Sequence, residues 1–208
     1  MAKRSKSSDR WLRRQRRDPF AQQAKESGQV SRAHYKLEEL DRRFKILSPG
    51  HRVLEMGAAP GGWTAYIEDR IKDGQLIVCD DRPVTHGAHT LWVEGRYGEA
   101  EVDQRIDELC RDEPLHVVLS DMAPNMSGIR VADQARAMEL AEFAEEAALK
   151  YLQPGGALVV KVFNGAGVDA WLAQLRRHFL KVRLIKPKAS RAESREVYAV
   201  ALQFDGVS

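Results

Sequence analysis

Three features of the sequence predict an α/β fold built on a mainly parallel sheet that ends in an antiparallel hairpin, with helices on both faces. From His51 onward, apolar strand-like runs alternate with amphipathic helix-like ones, the pattern of successive β–α–β units. The first of those strands breaks directly into the glycine-rich turn Gly57-Ala58-Ala59-Pro60-Gly61-Gly62-Trp63, at the carboxyl end of a strand where open α/β sheets bind ligands. The last two strand candidates are separated only by residues 187–196. That gap is too short for a crossover helix, so the two pair antiparallel.

Taken in chain order, residues 18–25 are expected to form a short helix, and Ser31 caps a second over residues 32–44, with Tyr35, Leu37, Leu40 and Phe44 at helical spacing. Pro49-Gly50 stops that segment. Strands are expected at 52–56, 75–79, 116–120, 157–163, 182–186 and 197–204, each an apolar run of strand length. Helices are expected at 63–71, 102–111, 132–151 and 168–180, where apolar positions recur at helical period. A parallel sheet finished by a hairpin is the layout of Rossmann-like methyltransferases rather than of dehydrogenases, whose sheets usually continue in parallel.

A chain of 208 residues suffices for a single domain with a proper core. The domain is expected to span 18–208, behind a basic N-terminal arm at 1–17. Net charge is only +3, but Lys3, Arg4, Lys6, Arg10, Arg13, Arg14, Arg16 and Arg17 face only Asp9 in that arm. Such clustering points to phosphate contacts, because Lys and Arg release counterions from nucleic acid; a solvated tail or a transit peptide are the other readings. Cys79 and Cys110 have no paired spacing, and His86 and His89 lack further ligands nearby, so neither a disulfide framework nor a metal site is expected. No run approaches the ~18 apolar residues of a membrane span, and a cytoplasmic protein is expected.

The glycine turn lacks the Gly-Lys-Ser/Thr ending of a phosphate loop and the spacing of a dinucleotide fingerprint. A nucleoside cofactor without a phosphate, S-adenosylmethionine, is therefore the leading candidate. Asp80 ends the second strand, where a carboxylate can accept from a ribose diol, and Asp81 could serve instead. Asp121 follows the strand at 116–120, and Lys161 lies inside the apolar run Leu158-Val159-Val160-Lys161-Val162-Phe163, where an ion needs a partner. Lys36 and Glu196 complete two lysines and two carboxylates able to pair in one cleft. Taken singly, Asp121 also reads as a turn initiator, Lys161 as a strand-end lysine reaching water, and Lys36 and Glu196 as solvated residues.

In the contexts Ser31-Arg32-Ala33-His34-Tyr35-Lys36-Leu37, Gly57 to Trp63, Ser120-Asp121-Met122-Ala123-Pro124-Asn125-Met126-Ser127-Gly128, Val160-Lys161-Val162-Phe163 and Ser194-Arg195-Glu196-Val197-Tyr198, the chain closely resembles the FtsJ/RrmJ (RlmE-type) ribosomal RNA 2′-O-ribose methyltransferases. The likeness runs in order from Arg10-Trp11-Leu12 over nearly the whole chain. It implies a catalytic tetrad of Lys36, Asp121, Lys161 and Glu196, S-adenosylmethionine as donor, and as acceptor a uridine ribose in the A-loop of 23S rRNA on the large ribosomal subunit. The cofactor contacts it implies involve Glu55, Gly57, Ala58, Ala59, Pro60, Gly61, Gly62, Trp63, Asp80, Arg96 and Asp121. Glu55 stands where the family usually has Asp, and Arg96 where an Asp that reads the adenine amino group is expected. Lys161 is expected nearest the 2′-hydroxyl, either accepting its proton or stabilising the alkoxide. Arg10, Arg13, Arg14, Arg32, Arg191 and Arg195 are expected to hold RNA phosphates. Two rival readings are a cap or transfer-RNA ribose methyltransferase and a non-catalytic assembly factor. A monomer is expected.

Overall fold

The structure, a computed structural model, describes residues 18–206. Helices α1 (Pro19–Glu26) and α2 (Ala33–Phe44) lead into a sheet domain with the order β1 (Arg52–Met56), α3 (Thr64–Ile71), β2 (Gln75–Asp80), β3 (Thr90–Glu94), α4 (Ala100–Cys110), β4 (Leu115–Ser120), α5 (Arg130–Tyr151), β5 (Leu152–Phe163), α6 (Val168–Leu175), β6 (Phe179–Ile185) and β7 (Glu196–Phe204). The seven strands lie in the order β3-β2-β1-β4-β5-β7-β6. β1 to β5 pair in parallel, and β7 inserts antiparallel between β5 and β6. β1 and β4, adjacent in the middle of this order, carry the turn at Gly57 and the turn at Asp121.

Strand residues alternate between two cores, which is why their sequences read as continuous apolar runs. Leu54, Met56, Val118, Val160 and Val162 face one side with α4, α5 and α6. Val53, Val117, Leu119, Val159, Tyr198 and Val200 face the other with α2 and α3. On α5, Ala137, Ala141, Ala144 and Ala148 are buried at helical spacing; their small side chains let a 22-residue helix lie close along the sheet.

Asp18 caps α1 by accepting from the Phe20 and Ala21 amides, and Pro19 sits in the first turn where no amide is needed. Ser31 Oγ accepts from the Ala33 amide at the start of α2 (3.2 Å). At the other end of α2, buried Asp41 accepts from the Ile46 and Leu47 amides, both at 2.9 Å, from Tyr66 Oη at 2.8 Å and from Arg70 Nε at 3.2 Å. One carboxylate thus fastens α2, the following loop and α3 together.

Besides shifts of one or two residues at several element ends, three features depart from the sequence reading. β3 was not expected; it is a short edge strand whose Trp92 and Glu94 face outward, so it lacks the apolar run that marks a central strand. α6 stops at Leu175, and β6 begins at Phe179, because Phe179 pairs with Phe204 across the hairpin and packs against it, the rings tilted with centroids 5.2 Å apart. β5 starts at Leu152 rather than 157, through a register shift opposite β4 between Leu115 and Val117, which accommodates Pro154-Gly155-Gly156.

Candidate active site

The turn after β1 is tied into the sheet on both sides: the Gly57 amide donates to Cys79 O of β2 (2.9 Å), and the Asp121 amide donates to Met56 O (3.0 Å). Gly57 has φ 76°, and a Cβ there would lie 2.7 Å from the Met122 amide nitrogen. The glycine therefore lets the β1 and β4 turns close on one another. At Gly61, φ is 106° and a Cβ would come within 2.3 Å of Thr85 O. Asp80 holds this arrangement from beneath, accepting from the Ala59 amide (2.9 Å) and the Arg82 amide (3.0 Å).

Above these turns opens a cavity of about 940 Å³ whose wall includes Gly57, Ala59, Asp80, Asp81, Arg96, Asp121 and Lys161. Met122, Leu140 and Phe143 add apolar surface to it, and Arg136 from α5 lies at its edge. Seven sequence-predicted residues thus meet in one cavity at the carboxyl ends of the parallel strands. Arg96 lies across Asp81, with its Nη2 2.6 Å from Asp81 Oδ2. That hydrogen bond holds the Asp81 carboxyl below its usual range and the Arg96 guanidinium above. A cavity of mixed apolar and polar lining, with carboxylates at Asp80, Asp81 and Asp121, fits a nucleoside joined to a cationic sulfonium.

The other cofactor candidates lie elsewhere. Glu55 is fully buried and accepts from Thr64 Oγ1 at 2.7 Å. Burial pushes its carboxyl well above the usual range, against the opposing effect of that hydrogen bond. Trp63 is buried, donates from Nε1 to Ala33 O (2.9 Å) and packs with its ring centroid 5.6 Å from that of Tyr198, so it joins α2 to the floor of the site. Ala58 is buried, the Ala59–Pro60 peptide is cis, and Gly62 lies against Ser31.

Lys36, Asp121, Lys161 and Glu196 converge. Lys161 lies on the face of β5 that carries Val159, towards α2, and it stands opposite Tyr198 in the β5–β7 register, with Glu196 two residues before on the same face of β7. Lys161 Nζ donates to the Asp121 carbonyl and lies 3.2 Å from Asp121 Oδ1. Lys36 Nζ, reaching in from α2, is 2.6 Å from Glu196 Oε1. Tyr198, absent from the sequence-derived candidates, joins the two pairs: its hydroxyl donates to Asp121 Oδ1 (2.7 Å) and accepts from Lys36 Nζ (3.4 Å). Burial raises the Tyr198 phenol well above its ordinary value, as do Asp121 and Glu196, so it remains a donor. Ser190 Oγ donates to Glu196 Oε1 at 2.9 Å. Spacing offered a signal for Tyr198, since residues i and i+2 of a strand share a face.

The arginines divide. Arg10, Arg13 and Arg14 lie outside the described residues. Arg32 is ion-paired with Asp18 and donates to Ala189 O, and Arg191 Nε also approaches Asp18 Oδ2 at 3.4 Å. Arg195 is half-buried and donates from Nη1 to Asn164 O (3.5 Å). Among the described residues no group of three or more His, Cys, Asp or Glu is placed to hold a metal ion, and no helix is long and apolar enough to cross a membrane.

Comparison with known proteins identifies the family. The family model for FtsJ-like methyltransferases matches residues 29–204. Two curated relatives, both called ribosomal RNA large subunit methyltransferase E, come from Xanthomonas oryzae pv. oryzae (strain PXO99A), 45% identical over 203 residues and 96% of each chain, and from Pseudomonas aeruginosa, 44% identical over 204 residues, covering 98% of this chain and 99% of the relative. A solved Plasmodium falciparum structure, described as a ribosomal RNA methyltransferase, superposes with a TM-score of 0.76 at 28% identity, covering 85% of this chain and 99% of that one. A Streptococcus mutans methyltransferase structure containing SAH, at 15% identity and TM-score 0.54 over 80% of this chain and 97% of that one, shares the fold.

Proposed function

Because the chain belongs to the FtsJ-like methyltransferase family, we propose that it methylates the 2′-hydroxyl of a uridine ribose in the A-loop of 23S rRNA, on the large ribosomal subunit, using S-adenosylmethionine. The observation that carries this reading is the Lys161–Asp121–Tyr198–Lys36–Glu196 network beside the cavity. The cofactor would lie along Gly57, Ala59, Asp80, Asp81, Arg96 and Met122. When bound it supplies an electrophilic methyl group on a cationic sulfur.

The protein's task is then to align the acceptor oxygen and handle one proton. Positioning alone can account for roughly 7 to 11 kcal/mol of barrier lowering in favourable cases. Lys161 directs hydrogens at the carbonyl and carboxylate of Asp121, which leaves one for the ribose oxygen. There it stabilises the negative charge that grows as the 2′-proton departs to water. Lys36, held by Glu196, aligns the ribose from the opposite side. The tetrad and the cavity are complete within one chain, so a monomer suffices, and the cytoplasm is where its substrate resides. Segment 1–17 and Arg195 would contact phosphates and set position rather than sequence.

The test is transfer of labelled methyl from S-adenosylmethionine to large subunits from cells lacking the enzyme, with the label mapped. Lys161→Ala should lower the rate about 10²- to 10⁴-fold and leave cofactor affinity, measured by calorimetry, unchanged. Label on capped transcripts or transfer RNA instead would reassign the acceptor, and near-native turnover by the variant would remove Lys161 from the reaction.

A further inference from the structure

Seven large apolar side chains are exposed among the described residues, and three of them crowd together where the loop after β4 runs into the first turn of α5: Met126 (58%), Ile129 (66%) and Val131 (81%). This loop is braced. Asp133 accepts from the Ser127 amide (2.8 Å), Ser127 Oγ (2.7 Å) and the Gly128 amide (3.0 Å). Gln134 Nε2 donates to Phe163 O and Ala166 O, which ties the start of α5 to the segment directly after the strand that carries Lys161. The crest is continuous with the cavity, whose wall includes the preceding Pro124 and Asn125 and, beyond the crest, Arg136.

A rigid display of apolar side chains to water has a use when a partner covers it. The charge around this one selects the partner. Between residues 122 and 136 the sole carboxylate is Asp133, which is buried by its own hydrogen bonds, whereas Arg130 and Arg136 are exposed. Apolar surface whose own segment carries exposed cations and no exposed anion, the nearest along the chain being Glu139 one turn past Arg136, complements unstacked nucleotides, which present flat π faces linked by phosphates. We propose that Met126, Ile129 and Val131 form a platform for the bases flanking the acceptor ribose, splayed out of their stack when that ribose enters the cavity, with Arg130 and Arg136 on the adjoining phosphates. This inference rests on the proposed RNA 2′-O-methyltransferase activity.

The full-length chain carrying Met126→Ser, Ile129→Ser and Val131→Ser together provides the test, because all three side chains are exposed and the fold does not depend on them. KM for large subunits should rise about tenfold or more, with kcat, cofactor affinity and melting temperature unchanged, and Ile129→Phe alone should keep or lower KM because a ring stacks on a base at least as well. In parallel, a protein-free A-loop hairpin with 2-aminopurine next to the target nucleotide should change fluorescence on binding the native chain, and this change should be lost in the triple variant. Unaltered KM and unaltered fluorescence response overturn the platform. A higher KM with an unaltered hairpin response also overturns it, in favour of a ribosomal protein as the partner, and a lower melting temperature makes the crest structural. The fluorescence measurement needs no turnover, so a native chain that binds the hairpin through the crest yet methylates no RNA fails the activity and not the platform.

Discussion

At the scale of the residue, Tyr198 turns two separate ion pairs into one network. Its hydroxyl bridges Asp121 and Lys36, so it fixes the carboxylate that in turn holds Lys161. Hydrogen bonds to charged groups contribute about 1.5–3 kcal/mol, so Tyr198→Phe should lower kcat roughly 10- to 100-fold while KM for the cofactor stays constant. As a positioning residue it should also displace the pH profile of kcat, which loss of packing alone would not do; an unshifted profile would mark Tyr198 as core. Lys161 was legible because a lysine inside Leu158-Val159-Val160-Lys161-Val162-Phe163 is chemically anomalous, whereas Lys36 and Glu196, ordinary taken singly, entered through the family resemblance. Tyr198 shares a face with Glu196 by strand spacing, but a tyrosine among Val197, Ala199 and Val200 reads as ordinary strand. Arg32 and Arg191 looked available for phosphate, but Asp18, at the start of α1, approaches both.

At the scale of the element, helix and strand types were legible wherever one period dominated, and boundaries failed where tertiary contact decided them. β3 is held by its register with β2, from Leu76↔Thr90 to Asp80↔Glu94, a relation no local window contains. The end of α6 is likewise set by Phe179 meeting Phe204. The joint between α2 and α3 depends on a single side chain, Asp41. Asp41→Ala would leave two amides and the Tyr66 hydroxyl without their acceptor and should cost about 3–5 kcal/mol, read from the urea midpoint at constant m-value. A loss within experimental error would mean that water replaces the carboxylate.

At the scale of the whole molecule, a sheet buried on both faces confines Glu55 between Thr64 and the core. Its folded-state carboxyl titrates above the unfolded one, so the folded chain binds the extra proton. The stabilisation is fully present below about pH 4.3 and is lost as pH rises through the folded-state value. Glu55→Gln, neutral throughout, should therefore gain in melting temperature over the native chain as pH is raised from 5 to 8. A gap that does not change with pH would place the charge elsewhere. The sequence by itself determined the alternation of strands and helices, the glycine turn after β1 and the lysine at 161 out of keeping with its apolar run, because periodicity and residue chemistry act within a few positions. Only the tertiary structure decided that Tyr198 bridges the tetrad, that Glu55 turns towards Thr64, that Arg96 lies on Asp81 and that Asp18 engages two arginines. Each of those contacts depends on strand register and helix docking, which bring together side chains that no local pattern relates.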